Sequence, residues 1–145
     1  MQYHNMGLLD KVKVIEFPKV CDPRGNLSFV EGARHIPFSI KRVYYIYDVP
    51  GGETRGGHAH RNNTSVVFAP SGSVDVRLTD GDEELSIRLD RSNRGVLIPP
   101  GVWATYHNFT TGTVLAALAS HLYEEEDYIR DYDDYLEYVE TLEKI

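Results

Sequence analysis

A single cysteine, Cys21, leaves no partner for an intramolecular disulfide. A disulfide-stapled secreted scaffold is therefore excluded, and a reducing compartment is expected. No apolar run reaches the roughly 18 residues that a membrane helix needs, and no charged n-region with an apolar stretch opens the chain. Basic residues are in the minority: 15 Lys and Arg stand against 22 Asp and Glu, for a net charge of -7. That balance argues against a general nucleic-acid binder or a membrane-surface binder. There is no internal repeat and no low-complexity linker. What remains is 145 residues, 41% of them apolar, enough for one domain, residues 1–145, with a real core. The expectation is a soluble cytoplasmic protein.

Short strand patterns then follow one another at close spacing. Residues 1–10 have no clear period and read as a loose arm or an added edge strand. Val12, Val14 and Glu16 alternate with Lys13, Ile15 and Phe17. Cys21-Asp22-Pro23-Arg24-Gly25-Asn26 is a turn, with proline and glycine in turn positions. Lys41 to Asp48 is rich in β-branched and aromatic residues, and Pro50-Gly51-Gly52 ends it. Ser73 to Thr79 alternates cleanly into a Thr79-Asp80-Gly81-Asp82 hairpin turn, and Glu84 to Leu89 returns. Gly95 to Ile98 runs into the rigid corner Pro99-Pro100-Gly101, with two further strands over 103–109 and 113–120. Many short strands with regular turn signals predict an all-β sandwich or barrel. Only the tail reads as helix, about 124–143. There Tyr128, Tyr132, Tyr135, Leu136, Val139 and Leu142 recur at three- and four-residue steps, and the stripe reads as packing against the barrel.

Arg55-Gly56-Gly57-His58-Ala59-His60-Arg61 carries the chemistry. On a strand, residues two apart share a face, so His58 and His60 present their rings side by side. Histidine titrates near neutrality, so such a pair suits proton transfer or metal ligation.

A His-x-His strand after glycines, with a Pro-Gly corner some forty residues on, is similar to the cupin arrangement, a small jelly-roll barrel. Metal-binding cupins add a glutamate four or five residues on, where this chain has Thr64 and Ser65. They also place a third histidine where it has Ala104. His107 and His121 are substitutes on paper, but His107 has the opposite strand parity to Ala104. Two imidazoles fall short of the usual three protein ligands of a catalytic zinc, so no metal site is assigned and the pair is read as free for acid–base work.

The likeness narrows further. Asp22-Pro23-Arg24-Gly25-Asn26-Leu27 and the run Ile36 to Asp48 resemble the WxcM-like sugar 3,4-ketoisomerases. So do Arg55 to His60, Ile98-Pro99-Pro100-Gly101-Val102-Trp103, Leu118-Ala119-Ser120 and Asp127-Tyr128-Ile129-Arg130-Asp131-Tyr132. The match runs in order from about residue 11 to about residue 137. The resemblance implies an all-β cupin jelly-roll barrel with a short C-terminal helix. It also implies an isomerase that moves the keto group of a dTDP-linked 4-keto-6-deoxy sugar between C4 and C3, with no cofactor. A homodimer, often with exchanged strands, and a place in deoxysugar and lipopolysaccharide biosynthesis go with it.

Such a step needs a base at C3, an acid at C4 and donors for the developing oxyanion. By motif match His60 is assigned as the base and His58 as its partner, with one neutral and the other protonated; the sequence leaves the order between them open. Tyr45 and Tyr47 share a strand face, as candidates to relay a proton or hold a sugar hydroxyl, against a packing role. Arg55 and Arg42 are candidates for the diphosphate, which needs planar cationic donors. Arg24 matches an arginine of family members that make the galacto-configured product. The chain departs from the family at Ser65, where glutamine is common, at Ala104, where histidine or arginine is common, and at Thr105, where glutamate is. Those departures keep a non-catalytic sugar-nucleotide-binding cupin open as an alternative. A 3,5-epimerase, which uses a His–Asp dyad, is the other.

Overall fold

The computed structural model describes residues 7–143. A 3₁₀ turn over Leu9–Lys11 leads into β1 (Lys13–Glu16), then a small hairpin of β2 (Lys19–Val20) and β3 (Leu27–Ser28). β4 (Arg42–Ile46), β5 (Arg55–His60), β6 (Ser65–Ser71), β7 (Val74–Thr79) and β8 (Glu84–Leu89) follow. After them come β9 (Arg94–Ile98), β10 (Trp103–His107) and β11 (Val114–Ala119). A second 3₁₀ turn, Glu125–Asp127, precedes β12 (Tyr128–Ile129) and the helix α1 (Tyr132–Glu143).

The strands form two five-stranded antiparallel sheets, in the orders β1-β9-β6-β11-β4 and β12-β5-β10-β7-β8. This is the expected jelly roll. Its inner layer follows from strand parity. On β7, Val74, Val76 and Leu78 are 0–1% exposed, while Asp75, Arg77 and Thr79 turn the other way. Val67, Ala69, Leu89, Val96, Ile98, Tyr106, Leu115 and Ala117 close the same core. A second cluster, Phe17, Ile36, Val66, Leu97 and Leu118, takes in Val30, Phe38 and Ile40 from the long connection before β4.

Two expectations need correction. The helix begins at Tyr132, not near 124: Tyr128 and Ile129 spend their backbone groups on the free edge of β5, opposite His60 and Ala59. The tyrosine stripe therefore divides. Tyr135 and Val139 pack α1 onto Ala59, Trp103 and Ile129, and the Tyr135 hydroxyl donates to the Gly101 carbonyl at 2.6 Å, whereas Tyr128 belongs to the strand. The predicted loose arm is not loose where it is described, since Leu8 and Leu9 pack against the main core. Residues 1–6 lie outside the described part.

Candidate active site

The entry of β5 is irregular. Thr105 lies opposite Gly56 and Ala104 opposite His58, so Gly57 is an extra residue, a bulge. Gly56 and Gly57 have φ of +84° and +81°, a region that side chains rarely enter. A Cβ on Gly56 would also stand 3.0 Å from the Ala104 carbonyl oxygen and 3.1 Å from the Tyr106 ring. At the far end the Gly101 N–H donates to the His60 carbonyl at 2.8 Å, so the Pro-Pro-Gly corner pins the strand. Between these two anchors His58 and His60 turn into the barrel, with ring centroids 5.1 Å apart and planes at 81°.

Pairing of β12 with β5 brings Asp127 to this place. His60 Nδ1 and Asp127 Oδ2 are 2.7 Å apart, and both side chains are buried. Asp127 Oδ1 accepts the Asn62 N–H at 2.6 Å and faces the Asn63 N–H at 3.4 Å. Because the carboxylate accepts, the His60 proton sits on Nδ1 and Nε2 keeps its lone pair. Among the described residues His60 Nε2 is one of the buried polar atoms with no hydrogen-bond partner.

A narrow pocket beside the pair is walled by Tyr44, His58, His60, Ser65, Ile98, Val102, Ala104 and Tyr106. The Tyr128 ring stands over the two imidazoles, 4.4 Å from His60 and 5.2 Å from His58 between centroids. Arg42 Nη1 donates to the Tyr128 hydroxyl at 3.2 Å, and the Arg130 guanidinium lies 4.2 Å from the same ring. Arg130 is in turn held by Glu125 through contacts of 2.8 and 3.0 Å. Cations over an aromatic face are attracted by its quadrupole, so this rim is positive and aromatic together.

Electrostatics follow from that enclosure. Burial, then the neighbouring His60 and the positive Arg130 and Arg42, push His58 down to about 4. Burial also lowers His60, with Asp127 opposing. Burial therefore favours the neutral form of both imidazoles, where one neutral and one protonated ring was the expectation. Burial tends to raise Asp127, but the Asn62 N–H, His60 and the Asn63 N–H together hold it below the usual carboxylate value. Burial raises the phenols of Tyr44 and Tyr106, so both keep their protons and can donate.

The sequence-assigned residues fall unevenly around this pocket. His58, His60 and Arg42 come together. Tyr45 and Tyr47 do not: on β4 the inward positions are Arg42, Tyr44 and Ile46, and Tyr45 and Tyr47 are 61% and 58% exposed on the outer face. Tyr44, one residue away, takes the place expected for Tyr45. Arg55 is exposed at the start of β5, opposite Tyr106 and outside the pocket wall. Arg24 pairs with Asp22 in its own turn, with its side chain 90% exposed. His107 faces out of the barrel and bonds Thr105 Oγ1 at 2.7 Å, and His121 is exposed. Reading the residues alone missed Asp127, Tyr44, Tyr106 and Arg130. A signal for Asp127 was present in the motif Asp127-Tyr128-Ile129-Arg130, but the acidic run before it read as the first turn of a helix.

Comparison with known proteins bears on the same region. The family model FdtA, described as WxcM-like, C-terminal, matches residues 10–140. The TDP-4-oxo-6-deoxy-alpha-D-glucose-3,4-oxoisomerase of Aneurinibacillus thermoaerophilus is 46% identical over 127 residues, 88% of this chain and 91% of that protein. Among solved structures, one is the 3,4-ketoisomerase QdtA of Thermoanaerobacterium thermosaccharolyticum, as a histidine-to-asparagine mutant with TDP-4-keto-6-deoxyglucose. It superposes with a TM-score of 0.88 at 43% identity, covering 90% of this chain and 94% of that one. The WlaRB TDP-quinovose 3,4-ketoisomerase of Campylobacter jejuni does so with a TM-score of 0.82 at 40% identity, covering 87% and 97%.

Proposed function

This chain belongs to the WxcM-like, C-terminal family, and on that premise we infer that it is a 3,4-ketoisomerase of a TDP-linked 4-keto-6-deoxyhexose in deoxysugar biosynthesis. The observation that carries the reading is a buried and a half-buried imidazole, both held toward the neutral form, facing protonated phenols in one pocket.

The reaction is an internal redox step achieved by moving protons. A base removes the C3 proton and the electrons pass to O4, giving an enediolate. O4 takes up a proton, the proton of the C3 hydroxyl leaves, C4 gains a proton, and the carbonyl stands at C3 beside a C4 hydroxyl. Atoms and charge balance without an outside oxidant.

The geometry favours His58 over His60 as the group at carbon. His58 keeps part of its surface open, whereas His60 is 6% exposed, its Nδ1 is committed to Asp127 and its Nε2 is covered. A neutral imidazole is a competent base at once. His60 and the Asp127 charge beside it stabilise the imidazolium that forms on the pair. Tyr44, protonated and in the same wall, supplies the hydrogen bond to the sugar oxygen that becomes negative. Arg42, whose Nε is buried with no hydrogen-bond partner among the described residues, and Arg130 form the cationic rim for the diphosphate.

The reading extends to the cytoplasm, to a homodimer and to lipopolysaccharide or a related glycan as destination. Support for the dimer is the outer face of β4, where Val43, Tyr45 and Tyr47 leave an apolar strip that a second copy would cover. Support for the compartment is the exposed thiol of Cys21 with no second cysteine.

Proton NMR of the protein with TDP-4-keto-6-deoxyglucose in D₂O tests the function. Conversion to a 3-keto sugar with deuterium incorporated, lost in His58→Asn, is the expected result. Saturable binding without conversion or exchange would leave a binding cupin instead.

A further inference from the structure

Asn63 is 1% exposed, and proton transfer as drawn above makes no use of it. Its Oδ1 accepts the His121 backbone N–H at 3.0 Å and faces the Ser120 hydroxyl at 3.4 Å. Those contacts set the amide's orientation, because an amide oxygen accepts and the nitrogen must then point the other way. Nδ2 turns inward and donates to Ser65 Oγ at 2.9 Å. The backbone N–H of the same residue faces Asp127 Oδ1, so Asn63 touches both the His60–Asp127 dyad and the opposite wall of the pocket.

Ser65, 3% exposed, opens β6 and lines the pocket together with Tyr44. Its oxygen is occupied as an acceptor by Asn63, which leaves its own O–H to donate. A buried donor needs an acceptor; Ile98, Val102 and Ala104 in the same wall offer none from their side chains, and His60 Nε2 has no hydrogen-bond partner among the described residues, which leaves the phenols of the wall. Tyr44 shares this narrow wall with Ser65, and Ser65 opposes the rise that burial gives the Tyr44 phenol, the effect of a hydroxyl turned toward the phenol oxygen. A phenol oxygen that accepts on one side directs its own hydrogen elsewhere, and the free direction is the cavity.

We propose that Asn63 and Ser65 are positioning residues for the isomerisation: donation from Asn63 to Ser65, and from Ser65 to Tyr44, aims the Tyr44 O–H at the sugar oxygen that becomes negative in the enediolate. A donor feeding a donor also strengthens the final bond, since chained hydrogen bonds polarise one another. This inference rests on the ketoisomerase reading and extends it to a residue at which the chain departs from its family.

The test is the same D₂O assay on the wild type, Ser65→Ala, Ser65→Thr, Tyr44→Phe and the Ser65→Ala/Tyr44→Phe double variant. Ser65→Ala is expected to lower kcat about tenfold with KM within about twofold, the size of one lost transition-state hydrogen bond. Ser65→Thr keeps the hydroxyl and is expected to recover most of the rate. In the Tyr44→Phe background Ser65→Ala is expected to add nothing, because the chain through which it acts is already cut. TDP affinity reports that each variant is folded, and Ser65→Cys, nearly isosteric with a weak donor, replaces Ser65→Ala if that variant fails this check. A wild-type kcat in Ser65→Ala, or an undiminished loss from it in the Tyr44→Phe background, would overturn the proposal. An inactive wild type that binds TDP would instead overturn the ketoisomerase reading.

Discussion

Asp127 Oδ2 lies 2.7 Å from His60 Nδ1, across 67 residues of sequence and inside the protein. The contact sets which nitrogen carries the proton and places a negative charge beside a pair of neutral bases. Asp127→Asn keeps the shape and removes that charge. We expect kcat to fall about 10²-fold, with KM changed far less, in steady-state assays. Asp127→Ala should also lower stability by about 1–3 kcal/mol in urea unfolding, because the His60 N–H and the Asn62 and Asn63 N–H groups lose their acceptor.

The depressed His58 value has a signed consequence. Its folded value, about 4, lies below the ordinary 6.5, so between these values the unfolded chain holds a proton that the folded chain does not. Stability is therefore at its plateau above pH 6.5 and falls as the pH drops toward 4, with His60 adding in the same direction. Thermal melts across pH 4–8 would show this. The acid limb of kcat/KM, which reports the free enzyme, should fall between those two values rather than at 6.5. Removing the Asp127 charge should move it lower still.

Tyr44 and Tyr45 differ by one residue and face opposite sides of β4. Tyr44→Phe should cost about 10²-fold in kcat, the loss of one donor at a developing oxyanion. Tyr45→Phe and Tyr47→Phe should leave kcat within about twofold, as expected for exposed positions away from the pocket. The same D₂O assay compares all three.

Arg42 offers a buried Nε with no hydrogen-bond partner among the described residues, and a guanidinium beside the Tyr128 hydroxyl. Arg42→Gln should weaken TDP by about tenfold or more, measured by calorimetry, because charge-assisted hydrogen bonds to phosphate are the strong ones. Arg24→Gln, whose side chain is paired with Asp22 alone among the described residues, should leave TDP affinity nearly unchanged.

Gly56 tests the frame of the site rather than its chemistry. With φ at +84° and the Ala104 carbonyl oxygen 3.0 Å from any Cβ, Gly56→Ala should destabilise the protein by about 1–3 kcal/mol and disturb His58 with it. Chemical denaturation and kcat, measured together, would show both effects.

Local order was legible from the residues. The alternation of Val74, Val76 and Leu78, the hairpin at Gly81, the Pro99-Pro100-Gly101 corner and the shared face of His58 and His60 all depend on neighbours two to four positions apart. Strand parity also placed His107 away from Ala104 before any fold was known, and β10 bears that out. Tertiary structure alone decided the rest. Parity says that Tyr45 and Tyr47 share a face but not that their face looks outward, because that depends on which sheet β4 joins and on which side the core closes. The acidic run before Asp127 has the composition of a helix start. Backbone pairing of Tyr128 and Ile129 with His60 and Ala59 on the open edge of β5 overrides that local preference, and so distant a pairing partner leaves no trace in a short window of sequence. The lowered values of both histidines belong to the fold for the same reason: an imidazole titrates near 6.5 in water, and only burial beside Arg42 and Arg130 makes the charged form costly.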